Sequence, residues 1–265
     1  MRQVRLACGL TLFTYVTLHF LNHALGNVSV AAMEAGLALQ KAIWQSLPGA
    51  VVLYTALLTH MSLGFWALFQ RRQFRMSPLE ATQLALGLTI PFLLADHVFG
   101  TRIALSLFGA DKGYAQELAK FGASPVGGVL QGLLLLIVWI HGCIGVHFWL
   151  ALKPFYPRIR NLLLSAAVLT PTLALLGYIQ GLRQVTPLLG DSAWRATTLS
   201  VAHVGTAADN ALLLTIRADT LLFLAGLWDD RYGLPVWIKL TAQALAAVSI
   251  MLTGIQVHLL SLIHI

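Results

Sequence analysis

Long apolar stretches alternate with short polar breaks along the chain. Runs of about 20 apolar residues fall near 4–27, 45–70, 78–100, 127–152, 161–182 and 199–227, with a further apolar run at 235–263. At about 1.5 Å of rise per helical residue, each matches a hydrocarbon layer roughly 30 Å thick. The pattern predicts an all-α, polytopic transmembrane helix bundle of six spans, with 235–263 as a candidate seventh. Between the spans, Val28 to Ile43 and Arg102 to Phe121 mix apolar and polar residues and are expected to form short interfacial helices that cap the bundle. Pro78, Pro125, Pro154, Pro157 and Pro235 fall near helix ends, where proline is tolerated. Pro91 and Pro171 fall inside runs, where it removes a backbone bond.

Composition agrees with that pattern. Hydrophobic residues make up 58% of the chain, charged residues 10%, and mean hydropathy is +0.77, whereas soluble domains carry roughly 25% charged residues. The basic residues then orient the bundle. Arg2 and Arg5 precede the first run, Arg71, Arg72 and Arg75 separate the second from the third, and Lys153, Arg158 and Arg160 separate the fourth from the fifth. Short cytoplasmic loops concentrate Lys and Arg, so these sites and the N-terminus are expected in the cytoplasm. Topology and anionic lipid head groups account for the net charge of +7. No basic stripe with interleaved aromatics points to nucleic acid. Met1-Arg-Gln-Val-Arg5 resembles the start of a signal peptide, with small residues at Val28-Ser-Val-Ala-Ala32. The run between them exceeds the usual 7–15 residues and carries His and Asn, so it is expected to remain as the first span.

Nine histidines stand out against this background. His23, His60, His97 and His141 occupy four consecutive predicted spans, with His19 and His147 as further candidates on the first and fourth. Ionisable residues at membrane depth are functional candidates by default, although any single one is as readily a neutral ring bonded to a neighbouring helix. Depth sorts them into pairs. Counted from the cytoplasmic ends, His23 lies roughly 27 Å and His97 roughly 28 Å up, while His60 lies roughly 15 Å and His141 roughly 18 Å up. Facing imidazoles at equal depth are what a six-coordinate b-type heme requires, and two pairs imply two stacked hemes. His19 and His23, one turn apart, share a face, so the choice between them stays open. His141 and His147, six residues and about 600° apart, cannot both ligate one iron.

Glycines follow these histidines: Gly26, Gly64, Gly100, Gly142 and Gly145. They could admit a flat macrocycle or serve ordinary small-residue packing. Arg102 is a candidate for a heme propionate, Asp96 for an acceptor of an imidazole N–H, and Asn22 for orienting a ring or lying on a packing seam. Only Cys8 and Cys143 are present, and neither begins C-x-x-C-H, which excludes covalent c-type heme and a four-thiolate cluster. Gln70, Gln83 and Gln131 are candidates for lining a quinone pocket or for plain interhelical bonding.

His19-x-x-Asn-His-Ala-Leu-Gly26, Leu57-Leu-Thr-His60, the basic turn at Arg71-Arg72, Ile90-Pro-Phe-Leu-Leu-Ala-Asp-His-Val-Phe-Gly-Thr-Arg102 and Trp139-Ile-His-Gly-Cys-Ile-Gly-Val-His-Phe-Trp149 form an ordered set. Over residues 1–205 this set resembles the membrane anchor of certain bacterial class III adenylate cyclases. That anchor is similar to the cytochrome b subunits of succinate dehydrogenase and fumarate reductase. The resemblance implies a six-helix, di-heme domain in the bacterial inner membrane that senses quinone redox state and signals to a cytoplasmic cyclase. Cyclase outputs usually act as two chains, which makes a homodimer a candidate assembly. No cyclase domain follows within these 265 residues, so cyclisation is not expected of this chain alone. The alternative is an electron-transfer subunit of a quinone oxidoreductase.

The tail, 206–265, reads differently. Asp209, Arg217 and Asp219 interrupt the sixth run, and Leu221-Leu-Phe-Leu-Ala-Gly-Leu-Trp-Asp-Asp-Arg-Tyr-Gly-Leu234, with Lys239 and Gln243 beyond, resembles the polyprenyl-phosphate sugar-1-phosphate transferases. That resemblance implies a Mg²⁺-phosphate role for Asp229 and Asp230 and makes a fragmentary sugar-phosphate transferase a second alternative function; an acidic helix end is the commoner use of a bare Asp-Asp. A junction between two unrelated sequences is expected within 205–220, and Leu260-Ser-Leu-Ile-His-Ile265 resembles translated sequencing adapter. His203, His258 and His264 therefore rank low as ligands.

Overall fold

The structure is a computed structural model that describes residues 1–71, 75–199 and the isolated positions Gly226, Asp229, Gly233 and Pro235. Among the described residues there is helix and no strand. The elements are α1 (Arg2–Ala24, extended by a 3₁₀ turn Leu25–Asn27), α2 (Val30–Trp44), α3 (Leu47–Phe69), α4 (Pro78–Val98), a π-helical turn Phe99–Ile103, α5 (Ala104–Phe108), α6 (Tyr114–Ala123), α7 (Pro125–Leu150), α8 (Tyr156–Val185), a 3₁₀ turn Thr186–Gly190 and α9 (Ser192–Thr198).

Helix starts follow local chemistry. Ser29, Ser46 and Ser124 each use the side-chain oxygen to accept an N–H of the first turn, from Ala32, Gly49 and Gly127 respectively. This satisfies donors that have no partner within the helix. Ser77-Pro-Leu-Glu80 is a capping box: the Ser77 hydroxyl accepts from the Glu80 N–H, and the Glu80 carboxylate accepts from the Ser77 N–H. Proline stands in the first turn of α3, α7 and α8, where its missing N–H costs nothing. α8 begins at Tyr156, ahead of the apolar run near 161, because Pro157 and the two arginines after it extend a helix that apolar length alone does not reveal.

Five helical stretches are long and apolar enough to cross a membrane: Arg2–Asn27, Leu47–Phe69, Pro78–Ser106, Pro125–Leu150 and Tyr156–Gly190. They coincide with the first five apolar runs. Large apolar side chains such as Leu58, Leu133, Ile140, Leu162 and Leu169 point outward along them, as in a bundle whose solvent is lipid. Apart from Gly226, Asp229, Gly233 and Pro235, the chain from 200 onward, with His203, Asp230, Lys239, Gln243, His258, His264 and the expected junction, lies outside the described residues, as does Arg72. Asp229 is helical, and its carbonyl accepts the Gly233 N–H at 2.8 Å, with Gly233 at φ +63°. This is the hydrogen bonding of a helix end closed by a left-handed glycine.

The chain divides into two compact units, one comprising 1–94 and 109–202, the other 95–108 and 203–265. In the first, α1 packs against both α3 and α8, and α7 packs against α8. Phe20, Leu135, Trp139 and the fully buried Ala174 form one core, tied by the Trp139 indole N–H, which donates to the Ala167 carbonyl at 2.8 Å. Met33 of α2, Leu118 and Phe121 of α6, and Tyr178 and Val185 of α8 form another. Asn22 lies on this second seam: its amide donates to the Met33 carbonyl and the Tyr114 hydroxyl at 3.1 and 3.0 Å, joining α1 to α2 and α6.

Glu117 on α6 is buried, with the Lys120 and Lys112 ammonium groups 3.7 and 3.9 Å away. Burial pushes its carboxyl above the usual range, against the pull of Lys120 and then Lys112. A carboxyl raised in the folded state gives stability that is complete below its unfolded value and is lost as pH rises through the folded one. α6 therefore loosens as pH rises above the ordinary carboxylate range. Glu117→Gln should abolish that pH dependence, as read by hydrogen exchange of the α6 amides across the range.

Candidate functional site

α3 and α7 bring two histidines to the same level. His60 stands nine residues before the last residue of α3, and His141 nine before the last of α7. Both lie about 14 Å above those helix ends at 1.5 Å per residue. Their ring centroids are 6.3 Å apart with the planes at 90°.

Each ring is oriented from behind. The His60 Nδ1 lies 3.1 Å from the Arg5 carbonyl of α1, and the His141 Nδ1 lies 3.0 Å from the Gln83 carbonyl of α4. A carbonyl only accepts, so both Nδ1 atoms carry the proton; in the neutral ring, Nε2 then holds the lone pair. This is the tautomer of a metal-ligating histidine with its outer N–H engaged.

The dimensions suit a two-imidazole centre. A metal–nitrogen bond of about 2 Å and about 1.1 Å from nitrogen to ring centre, counted on both sides, span roughly 6 Å. Edge-to-face rings also meet at such separations, but simple ring contact does not require both outer nitrogens to be held. Gly64, one turn beyond His60, faces open space: a Cβ there would meet nothing within 4 Å. His60 and His141 are thus the residues that would hold a two-imidazole cofactor here, with Gly64 leaving space beside them.

No family model matches the chain, and neither does any curated protein or solved structure. The site accordingly stands on its own geometry. Among the described residues no three His, Cys, Asp or Glu side chains gather in a way suited to a metal ion. A two-nitrogen site falls below that number, and it supplies as many ligands as a porphyrin leaves open on its iron.

The other expected residues are distributed differently. His147 makes a different contact: its Nδ1 lies 2.6 Å from the Tyr156 hydroxyl at the start of α8. His19 and His23 stand with ring centroids 4.8 Å apart at 80°. The His19 ring stacks with Tyr15 at 5.8 Å, whereas the His23 ring is buried at 7% exposure and meets Tyr114 and Tyr178 edge-on at 5.3 and 6.2 Å. His97, Asp96 and Arg102 belong to the second unit, with His97 in the last turn of α4 and Arg102 in the π-helical turn beyond. There the His97 carbonyl accepts the Thr101 hydroxyl at 2.6 Å. Cys8 and Cys143 are free and half-buried.

Three of the glycines expected to clear a macrocycle have other neighbours. A Cβ at Gly26 would strike the Gly177 backbone of α8, one at Gly142 the Phe13 ring, and one at Gly145 the Gln83 amide at 3.1 Å. They serve close helix packing, the alternative use of a small residue in a bundle. Two glycines that sequence reasoning passed over lie against the imidazoles instead: Gly9 of α1 against His60 and Gly87 of α4 against His141. Neither is near a histidine in sequence, so only the pairing of helices reveals them.

Proposed function

We propose that this chain is a membrane-embedded b-type cytochrome domain whose inner heme is held between His60 and His141. The observation that supports the reading is the pair of rings 6.3 Å apart with both Nδ1 atoms held on backbone carbonyls. When bound, heme supplies one-electron redox chemistry. The residues of the chain do the rest. His60 and His141 would supply their Nε2 nitrogens to the heme, and the Arg5 and Gln83 carbonyls, which hold the outer protons, would raise ligand basicity.

The outer ligands expected from helix depth, His23 or His19 and His97 with Arg102, fall in different units, and only the inner pair is proposed as a heme site. A redox or quinone-responsive anchor in a bacterial inner membrane, N-terminus inside, is the role that the resemblance to cyclase anchors lends to this reading. The five apolar helices support its membrane setting.

The test is optical. Protein purified from iron-replete cells should give a dithionite-reduced spectrum with a sharp α band in the green and a pyridine hemochrome of b type. Colourless protein, unchanged on adding hemin, would sink the proposal.

A further inference from the structure

The two imidazoles are held by the same device, used twice. Arg5 and Gly9 on α1 are four residues apart, and so are Gln83 and Gly87 on α4. In each pair the first residue supplies the carbonyl that meets Nδ1, and the second is the glycine on which the ring rests. A Cβ at Gly9 would sit 3.0 Å from the His60 Cε1 and 3.2 Å from its Nδ1; one at Gly87 would sit 2.8 and 3.2 Å from the same atoms of His141. Helical geometry explains the spacing. The carbonyl of residue i already accepts the N–H of residue i+4, and a side chain at i+4 would stand between that carbonyl and any second donor. Glycine leaves the second lone pair of the oxygen open to a ring arriving from the next helix.

The supports also share a topology. A helix carrying the carbonyl and glycine near its start is followed by interfacial helix and then by the histidine helix: α1, α2, α3 in the first half, and α4, α5 with α6, α7 in the second. The inner site is therefore assembled from two half-sites of like construction, each pairing a cradle helix with a ligand helix.

We infer that Gly9 and Gly87 are positioning residues for the inner centre, each seating one imidazole so that its Nδ1 proton reaches the carbonyl one turn earlier. The inference rests on the reading of His60 and His141 as heme ligands and adds how their orientation and basicity are set. A methyl at Gly87 must displace the His141 ring, and one at Gly9 makes the His60 ring give by a few tenths of an ångström; either shift lengthens the hydrogen bond. Loss of an outer-shell partner of a ligating histidine lowers metal-site affinity about 10–100-fold, and a less basic ligand favours the ferrous iron.

Gly9→Ala and Gly87→Ala should each lower heme retention about tenfold or more, raise the midpoint potential of the remaining inner heme and shift its low-spin ferric resonance. Gly132→Ala, where the new methyl meets only Leu175 at 3.6 Å, should leave all three unchanged. A readout without pigment comes from a double-mutant cycle on thermal unfolding: Gly9→Ala destabilises the parent but not the His60→Ala variant, in which no ring remains to clash. Should Gly9→Ala alone fail to fold, recovery of the fold in the double variant supports the cradle, and no recovery overturns it. Unchanged potential and resonance in both glycine variants, with His60→Ala losing the pigment, overturns the cradle alone. Pigment unchanged in His60→Ala overturns the ligand reading itself.

Discussion

His60→Ala and His141→Ala are each expected to remove one heme per chain, the largest effect any single substitution here should have on the pigment. On the proposed reading the two rings hold one heme, so removing either would leave it a single protein nitrogen. The loss should exceed the 10–100-fold in affinity that a mere outer-shell partner is worth. His147→Ala is the matched control: it lies on the same helix, but its Nδ1 is engaged with the Tyr156 hydroxyl, and the spectrum should keep its full amplitude. Heme content by pyridine hemochrome and low-spin ferric resonance of the three variants decide the point. Equal loss in His147→Ala, or full pigment in both of the others, contradicts the assignment of the inner pair.

What the sequence discloses about this molecule is mainly what can be counted along one axis. Span length is such a property, so the first five apolar runs coincide with helices to within a few residues, and the serine caps and N-terminal prolines mark their starts. Depth is another. His60 and His141 lie level because each stands nine residues from a helix end, and the 600° between His141 and His147 sends the two rings to different neighbours.

Rotation about each helix axis is not so counted. Gly26, three residues past His23, reads as room for a cofactor but rests on Gly177 of a helix 150 positions later in the chain. Gly9 and Gly87, far from any histidine in sequence, carry the rings. Asn22 has a place in the histidine motif, yet its amide is spent on the Met33 carbonyl and the Tyr114 hydroxyl. A glycine in a bundle is useful wherever something comes close, and one chain does not say what comes.

The second large effect is expected on the fold rather than the pigment. Gly177 on α8 and Gly26 after α1 approach backbone to backbone: a Cβ at Gly177 would land on the His23 carbonyl oxygen and lie 3.1 Å from the Ala24 Cα, and one at Gly26 would land on the Gly177 carbonyl. Ala174, Gly177, Tyr178 and Gly181 are buried on one face of α8, at the i, i+3, i+4, i+7 spacing of a packed stripe, and three of the four are small. Lipid offers helices no hydrophobic reason to associate, so close contact along such a stripe is the main attraction holding α8 to α1. An obstacle made of backbone cannot rotate aside, so Gly177→Ala must part the helices. Overpacking of this kind costs about 1–3 kcal/mol, which at about 2–4 °C per kcal/mol lowers the melting temperature by roughly 2–12 °C. Gly190→Ala, whose new methyl meets nothing within 4 Å, should stay within about 0.5 kcal/mol of the parent. Because the contact falls on the His23 carbonyl, the displaced turn should also disturb the outer histidine, while the inner pair, built on α3 and α7, keeps its spectrum. A Gly177→Ala variant that melts with the parent would show that α1 and α8 do not meet at this distance.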